Sequence, residues 1–153
     1  MIGYGENRGI VPISFHEIFK IIKEQTTEKK WFEVNISMLE IYNEKIQDLL
    51  KPVSKRKKGG LKIRESKSIG VFVEGLSKHA VNSYQAIETK MEEGNTNRTI
   101  ASTRMNATSS RAHTIISVEL TQIEVMLGKK VQKFSQINLV DLAGSEKISK
   151  TGA

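Results

Sequence analysis

The order of hydrophobic and polar residues along the chain predicts one clear helix and three clear strands. Residues 14–25 place apolar side chains at helical spacing, with Ser14 as the N-cap. Residues 31–42 alternate apolar and polar positions, which is typical of a strand with one buried face. Residues 113–125 and 130–140 predict two longer strands, and the intervening MLGKK favours a hairpin between them.

Shorter patterns predict a second group of elements. Residues 43–51 are expected to form a short helix capped by Asn43, because Pro52 stands just beyond them. After a basic loop, residues 61–65 and 70–76 predict two short strands.

A further helix is predicted over residues 82–95. Asn82 and Gln85 resemble a capping box, and Gly94 is placed where a helix would end. Residues 97–111 have little periodicity and many hydroxyls, so we expect them to be mostly loop. Strands, helices and one antiparallel hairpin together predict an α/β sandwich with a mixed sheet.

Composition agrees with one compact domain of 153 residues, of which 38% are hydrophobic and 27% charged. The absence of cysteine excludes a disulfide framework and a thiolate metal site. No apolar run reaches the roughly 20 residues that span a bilayer, so we expect a soluble, intracellular protein.

Positive charge is the strongest compositional bias, with a net charge of +7. Such an excess favours an acidic partner, which net charge alone does not identify. The densest cluster is KRKK, residues 55–58, and a solvated loop is the simpler interpretation of it. Few aromatic residues lie nearby, which argues against a base-stacking surface.

The segment QINLVDLAGSEK, residues 136–147, is the first candidate site. Ile137, Leu139 and Val140 predict a strand that is covered on both faces, as in the centre of a sheet. Asp141 follows at its carboxyl end, where it could hold Mg²⁺ directly or through water. Gly144 has no side chain, so its backbone N–H could approach a terminal phosphate. An ordinary strand and turn would look the same.

The segment MNATSSRAH, residues 105–113, is the second candidate. Ser109 and Ser110 could offer oxygen to Mg²⁺ or hydrogen bonds to phosphate. Arg111 could form a bidentate pair with Glu146. A polar turn with locally satisfied hydroxyls is the alternative.

NATSSRAH followed about thirty residues later by DLAGSE resembles the two nucleotide-sensing switches of the kinesin motor domain. GENRGIVPISFHEIF, EIYNEKIQDLL, VEGL and GNTNRTIASTRMN resemble other parts of that domain, so the resemblance covers essentially the whole chain. It implies the P-loop NTPase-like α/β fold of kinesins, with a mixed central sheet flanked by helices. It also implies an ATP-driven microtubule motor that uses ATP and Mg²⁺ and binds tubulin.

By this resemblance, Asn106, Ser109, Ser110 and Arg111 form the first switch. Asn106 belongs to the nucleotide-binding set. Ser110 is the hydroxyl that meets Mg²⁺ or its water, and Ser109 helps to place the attacking water. The family usually has serine where this chain has Ala112, and we expect that difference to matter little.

The resemblance implies that Asp141, Gly144 and Glu146 act in the second switch. Asp141 would hold Mg²⁺ through water, and Gly144 would sense the terminal phosphate through its amide. Arg111 and Glu146 would form the salt bridge that latches the switches in the state ready for hydrolysis. Positioning and charge stabilisation of this kind supply most of the catalysis in phosphoryl transfer.

Two further expectations come from the resemblance. No GxxxxGK[ST] loop occurs in residues 1–153, so we expect a partial motor domain that begins after that loop, ends after the second switch and is inactive alone. KIRESKSIGVFVEG matches a secondary filament contact of the family, which makes Lys62, Arg64 and Lys67 candidate microtubule contacts.

Three other interpretations fit parts of the sequence. A kinesin-like module could bind microtubules without hydrolysing ATP. A GTPase or another P-loop switch protein shares DxxG, but SSR and EIYNEKIQDLL have no place in it. A nucleic-acid binder is supported by net charge alone. We expect a cytoplasmic protein on the microtubule cytoskeleton, with no direct membrane or nucleic-acid partner; the sequence does not predict an oligomeric state.

Overall fold

The computed structural model describes residues 3–4, 7–105 and 111–142. Its helices are α1 (Ile10–Gln25) and α2 (Tyr84–Met105), and residues Val53–Lys55 form a 3₁₀ turn. Its strands are β1 (Gly3–Tyr4), β2 (Asn7–Arg8), β3 (Lys30–Tyr42), β4 (Lys45–Asp48), β5 (Lys62–Ser66), β6 (Gly70–Glu74), β7 (His79–Val81), β8 (His113–Met126) and β9 (Lys129–Asp141).

The main sheet has the strand order β4-β3-β8-β9, and β7 pairs with a different part of β3 from β4. β1 with β2 and β5 with β6 form two separate two-stranded sheets. Every strand pair among the described residues is antiparallel. The predicted α/β class is confirmed, whereas parallel neighbours of a mixed sheet are not found within the described part.

The hydrophobic core lies between one face of this sheet and both helices. Ile36 of β3 is directly opposite Val118 of β8, and both are buried. Phe15 of α1 and Ile87 of α2 pack on these strands and are 0% exposed. Burial of each such side chain contributes roughly 1.5–3 kcal/mol. The core therefore binds α1 and α2 to the same side of the sheet.

Several predicted strands are confirmed. The alternating segment 31–42 corresponds to β3, and the two short segments after the basic loop correspond to β5 and β6. The hairpin of β8 and β9 is closed by Leu127 and Gly128, whose φ angles are 51° and 76°. Positive φ at both central positions is the geometry that fits the twist of paired strands.

The short helix predicted over residues 43–51 is wrong, because residues 45–48 form strand β4. Asn43 and Glu44 have φ angles of 50° and 60° and make the tight turn from β3 into β4. Asn43 is therefore a turn residue and not a helix cap. Ile46 and Asp48 are buried with a period of two, as a strand requires.

Both helices are longer than predicted. Helix α1 starts one turn earlier, after Gly9, so Ser14 lies inside it and does not cap it. At the start of α2, the Ser83 hydroxyl accepts a hydrogen bond from Ala86 N–H at 3.1 Å, so Ser83 takes the place that the sequence suggested for Asn82.

Helix α2 also runs through Gly94, which was predicted to end it, and continues to Met105. The expected loop over residues 97–105 is therefore wrong. A Cβ atom added at Gly94 would meet the side chains of Met38 and Leu50. Glycine at this position thus allows the helix to approach β3 closely, which sequence periodicity does not reveal.

The prediction that residues 137–140 form a strand covered on both faces is also wrong. β9 pairs only with β8 among the described residues, so it is an edge strand there. Ile137 and Leu139 are half-buried on the helix side, while Val140 on the other side is 45% exposed. Helices α1 and α2 cover one face of the sheet only, which explains this difference.

Candidate functional site

Two of the predicted switch residues lie in the described part of the chain, at the same end of the β8–β9 hairpin. Asp141 is the last residue of β9 and is exposed. Its cross-strand partner is Thr114 near the start of β8, three positions after the exposed Arg111. The hairpin register therefore places Asp141 and the start of β8, which follows Arg111, at the same end of the sheet.

The other predicted switch residues are Asn106, Ser109, Ser110, Gly144 and Glu146, and they lie outside the described residues. The predicted salt bridge between Arg111 and Glu146 and the hydroxyl contacts to Mg²⁺ thus remain predictions.

Helix α2 is attached to this end of the sheet by two consecutive residues. The Asn97 side chain donates a hydrogen bond to the Leu49 carbonyl at 2.8 Å. Arg98 Nη1 donates to the Thr114 hydroxyl at 3.4 Å. These two bonds fix the position of α2 relative to β8 and to the end of β4.

Glu40, Thr114 and Asp141 lie side by side on three adjacent strands. Glu40 is directly opposite Thr114, and Thr114 is directly opposite Asp141, so all three share the helix-facing side. The sequence analysis missed Glu40, Arg98 and Thr114. The little periodicity of residues 97–111 gave no signal for Arg98, and the row of Glu40, Thr114 and Asp141 depends on strand register.

The exposed position of Asp141 at the end of β9 is compatible with the Mg²⁺-holding role, which stays a prediction. Its carboxylate makes no hydrogen bond or ion pair with another described residue. Mg²⁺ is commonly held by one or two carboxylates, with water and substrate phosphate completing its coordination. No group of three or more histidine, aspartate or glutamate side chains that could form an all-protein metal site occurs among the described residues.

The carboxyl group of Glu40 lies in an unusual electrostatic environment, in which burial and two arginines have opposite effects on its pKa. Burial raises the pKa of its carboxyl group, while Arg98 and then Arg56 act in the opposite direction. Its Oε2 atom is buried and has no hydrogen-bond partner among the described groups. Desolvation of the charged form therefore outweighs the attraction of the two arginines.

This balance predicts a pH-dependent effect of Glu40→Gln. Since folding raises the pKa of Glu40 above its ordinary value of 4.5, the native state binds the proton more tightly than the unfolded state. Stability from this group is present below pH 4.5 and is lost as pH rises through the folded pKa. The amide cannot ionise, so we expect the variant to gain stability relative to the parent chain as pH rises above 4.5.

Urea unfolding at acidic, neutral and mildly alkaline pH measures this difference. Glu33→Gln is the matched control, because Glu33 is exposed on the same strand. A Glu40→Gln variant that loses stability relative to the parent as pH rises would show that the arginines dominate and would contradict the prediction.

The candidate microtubule contacts lie on the β5–β6 hairpin, and their positive charge is partly neutralised. Arg64 Nε is 3.1 Å from Glu74 Oε2, and both side chains are more than half exposed. Lys62 is directly opposite Glu74 in the strand register. Lys67, in the turn of this hairpin, is exposed. An exposed ion pair contributes little stability, but it reduces the charge that Arg64 offers to a partner.

An α/β domain with candidate residues at one end of adjacent strands has the arrangement of α/β proteins that bind ligands at the ends of their strands. The kinesin motor domain family model matches residues 1–153, and the chain belongs to that family.

Similar proteins agree over the whole chain. Kinesin-related protein 1 of Dictyostelium discoideum is 46% identical over 158 residues, covering 100% of this chain and 7% of the relative. Human kinesin-like protein KIF13A is 45% identical over 155 residues, covering 100% of this chain and 8% of the relative. The chain therefore spans less than a tenth of these two relatives.

A solved structure described as a fast kinesin has a TM-score of 0.88 and 39% identity. It covers 100% of this chain, which spans 42% of the solved chain. The expected family and kinesin motor fold are thus confirmed. The family match also decides against the GTPase interpretation. No helix within the described residues is both long and apolar enough to cross a membrane.

Proposed function

We propose that this chain is part of an ATP-driven microtubule motor and couples nucleotide hydrolysis to filament binding. The observation that carries the proposal is the family match over residues 1–153. The position of Asp141 beside Thr114, which Arg98 connects to α2, supports it further. Nothing in the described residues favours the alternative of a kinesin-like module without ATPase activity over this proposal.

In the proposed nucleotide site, Asp141 and Ser110 hold Mg²⁺, with Asp141 acting through water. Bound Mg²⁺ neutralises phosphate charge and so favours phosphoryl transfer. Asn106 contributes to nucleotide binding, and Ser109 orients the attacking water. The carboxylate of Asp141 is exposed and has no partner among the described residues, which supports its part in this arrangement.

The proposed switching device consists of the second-switch glycine and one ion pair. Gly144 senses the terminal phosphate through its backbone N–H. Arg111 pairs with Glu146 when the nucleotide site is ready for hydrolysis, and the pair opens afterwards. Loops ordered by phosphate and released on hydrolysis are a common form of such coupling. The Asn97 and Arg98 hydrogen bonds keep α2 in register with the sheet while the first switch moves.

The proposed filament partner is tubulin, contacted through Lys62, Arg64 and Lys67. Arg64 is paired with Glu74, whereas Lys62 and Lys67 form no ion pair with another described residue. The proposed location is the cytoplasmic microtubule cytoskeleton. These 153 residues contain no GxxxxGK[ST] loop, so alone they are expected to hydrolyse ATP hardly at all.

The test is ATP hydrolysis with and without microtubules, measured on the longest natural form of the protein. We expect stimulation by microtubules, and Asp141→Asn or Arg111→Ala should reduce the stimulated rate at least about tenfold. Glu24→Gln, an exposed change on α1, serves as the control and should leave the rate unchanged. Activity that neither depends on microtubules nor responds to Asp141→Asn would overturn the proposal.

A further inference from the structure

Residues 51–60, named here the basic loop, concentrate positive charge in an ordered part of the fold. They include five basic residues and no acidic residue. The loop is closed at its end by Leu61 N–H, which donates to the Ile46 carbonyl at 2.8 Å. Gly60 N–H also donates to the Lys57 carbonyl at 3.2 Å. The Leu61–Ile46 bond joins the end of the basic loop to β4, while Lys55, Lys57 and Lys58 stay exposed, as expected for a solvated loop.

The Arg56 side chain stabilises the basic loop through a hydrogen bond within the loop. Its Nε donates to the Lys51 carbonyl at 3.0 Å, which links the two halves of the loop. Its Nη2 atom is buried and has no hydrogen-bond partner among the described groups. By contrast, Lys55, Lys57 and Lys58 are exposed. One arginine therefore stabilises the loop while three lysines remain available to a partner.

A cleft of about 330 Å³ lies between the basic loop and the neighbouring strands. Its lining includes the lysines Lys51, Lys55 and Lys57, together with Gln47, Leu61 and Gly75. It thus combines a cationic wall with polar and apolar contacts, as a peptide-binding groove does.

The two carboxylates that line the cleft, those of Asp48 and Glu74, already form hydrogen bonds or an ion pair. Asp48, which also lines the cleft, accepts hydrogen bonds from Leu50 N–H at 3.0 Å and Ser77 N–H at 2.8 Å. Glu74 is paired with Arg64 at 3.1 Å. None of the lysines of the basic loop forms an ion pair with a described residue. The lining therefore has four basic residues, Lys51, Lys55, Arg56 and Lys57, against the two carboxylates of Asp48 and Glu74, so an excess of positive charge remains in the cleft.

We propose that the cleft beside the basic loop binds an extended acidic peptide segment of a protein partner. Several lysines along one wall match successive carboxylates better than they match a single small anion. No aromatic side chain lines the cleft, and a surface for single-stranded nucleic acid normally offers aromatic stacking. This contact is distinct from the candidate contacts on the β5–β6 hairpin and does not require nucleotide.

Fluorescence anisotropy with a labelled oligoglutamate peptide and this chain tests the inference. We expect binding at low salt that weakens markedly at about 0.15 M salt. The triple variant Lys55→Gln, Lys57→Gln, Lys58→Gln should weaken binding about tenfold, because three exposed attractions are lost. The charge-matched control changes exposed lysines elsewhere, Lys20→Gln, Lys23→Gln and Lys29→Gln, and should weaken binding less than about twofold.

Equal losses of oligoglutamate affinity in the two triple variants would overturn the inference, because binding would then depend on net charge alone. Tighter binding of an oligothymidylate of equal length, lost in the same loop variant, would also overturn it in favour of nucleic acid. Thermal unfolding of both variants confirms that each is folded before binding is compared. Because the assay contains neither ATP nor microtubules, its failure leaves the proposed motor function standing.

Discussion

Asp48→Ala is expected to lower the free energy of unfolding by about 4 kcal/mol. Asp48 is only 2% exposed, and its two carboxylate oxygens accept hydrogen bonds from the backbone N–H groups of Leu50 and Ser77. A hydrogen bond to a charged group contributes about 1.5–3 kcal/mol, and an unsatisfied buried donor adds a desolvation cost. Alanine removes both acceptors at once.

This carboxylate also connects distant parts of the chain. Ser77 follows the β5–β6 hairpin, 29 positions after Asp48, so the bond ties that hairpin region to the end of β4. Circular dichroism during urea unfolding measures the loss of stability. Glu65→Ala, an exposed change on β5, is the matched control and should cost less than about 0.5 kcal/mol. Equal costs for the two substitutions would show that the Asp48 hydrogen bonds do not stabilise the fold.

Gly60→Ala should destabilise the protein by about 3 kcal/mol. Gly60 has a φ angle of +83°, which L side chains rarely adopt, and a Cβ atom there would lie 2.7 Å from the Ile46 carbonyl oxygen. That oxygen accepts the Leu61 N–H bond that closes the basic loop. The substitution therefore adds backbone strain and displaces the same segment that positions the lysines.

Comparison with Gly59→Ala separates the cost of backbone strain from the cost of the close contact with Ile46. Its φ angle is +84°, almost the same as that of Gly60, but a Cβ atom there would meet nothing within 4 Å. We expect Gly59→Ala to cost only about 1 kcal/mol, from backbone strain alone. If urea unfolding gives equal costs for both glycines, the close approach to Ile46 does not matter, contrary to the prediction.

The Gly60→Ala variant also connects stability with binding. If a displaced basic loop loses its cleft, the variant should bind oligoglutamate more weakly even where most of the protein is still folded. Gly59→Ala keeps the Leu61–Ile46 bond and should bind as the parent chain does. The pair of glycines thus distinguishes an ordered cleft from a set of lysines whose position is unimportant.

Local sequence determined much of the sheet. β3 and the β8–β9 hairpin were predictable because their side chains alternate with a period of two and because Leu127–Gly128 suits a tight turn. The candidate switch segments were recognisable because their residues occur in a specific order along the chain. Those features depend on neighbours in the sequence and need no knowledge of distant contacts.

Tertiary contacts determined the secondary structure of segments whose local sequence was ambiguous or favoured a different structure. Residues 45–48 pair with β3 and form β4, although their residue types also suit a helix. Glycine commonly marks the end of a helix, so the local sequence favoured an end at Gly94. Helix α2 nevertheless continues through Gly94, because that glycine faces Met38 and Leu50. In both cases packing against β3 outweighed a local preference of about 1 kcal/mol or less.

The sequence by itself determined the kinesin family of this protein and the two segments that carry its candidate nucleotide chemistry. Only the tertiary structure placed Thr114 between Glu40 and Asp141, connected Arg98 to that row and left β9 at the edge of the described sheet. The physical reason is that strand register and helix docking join residues far apart in the chain. Their energies come from shared burial and hydrogen bonding, which no local pattern records.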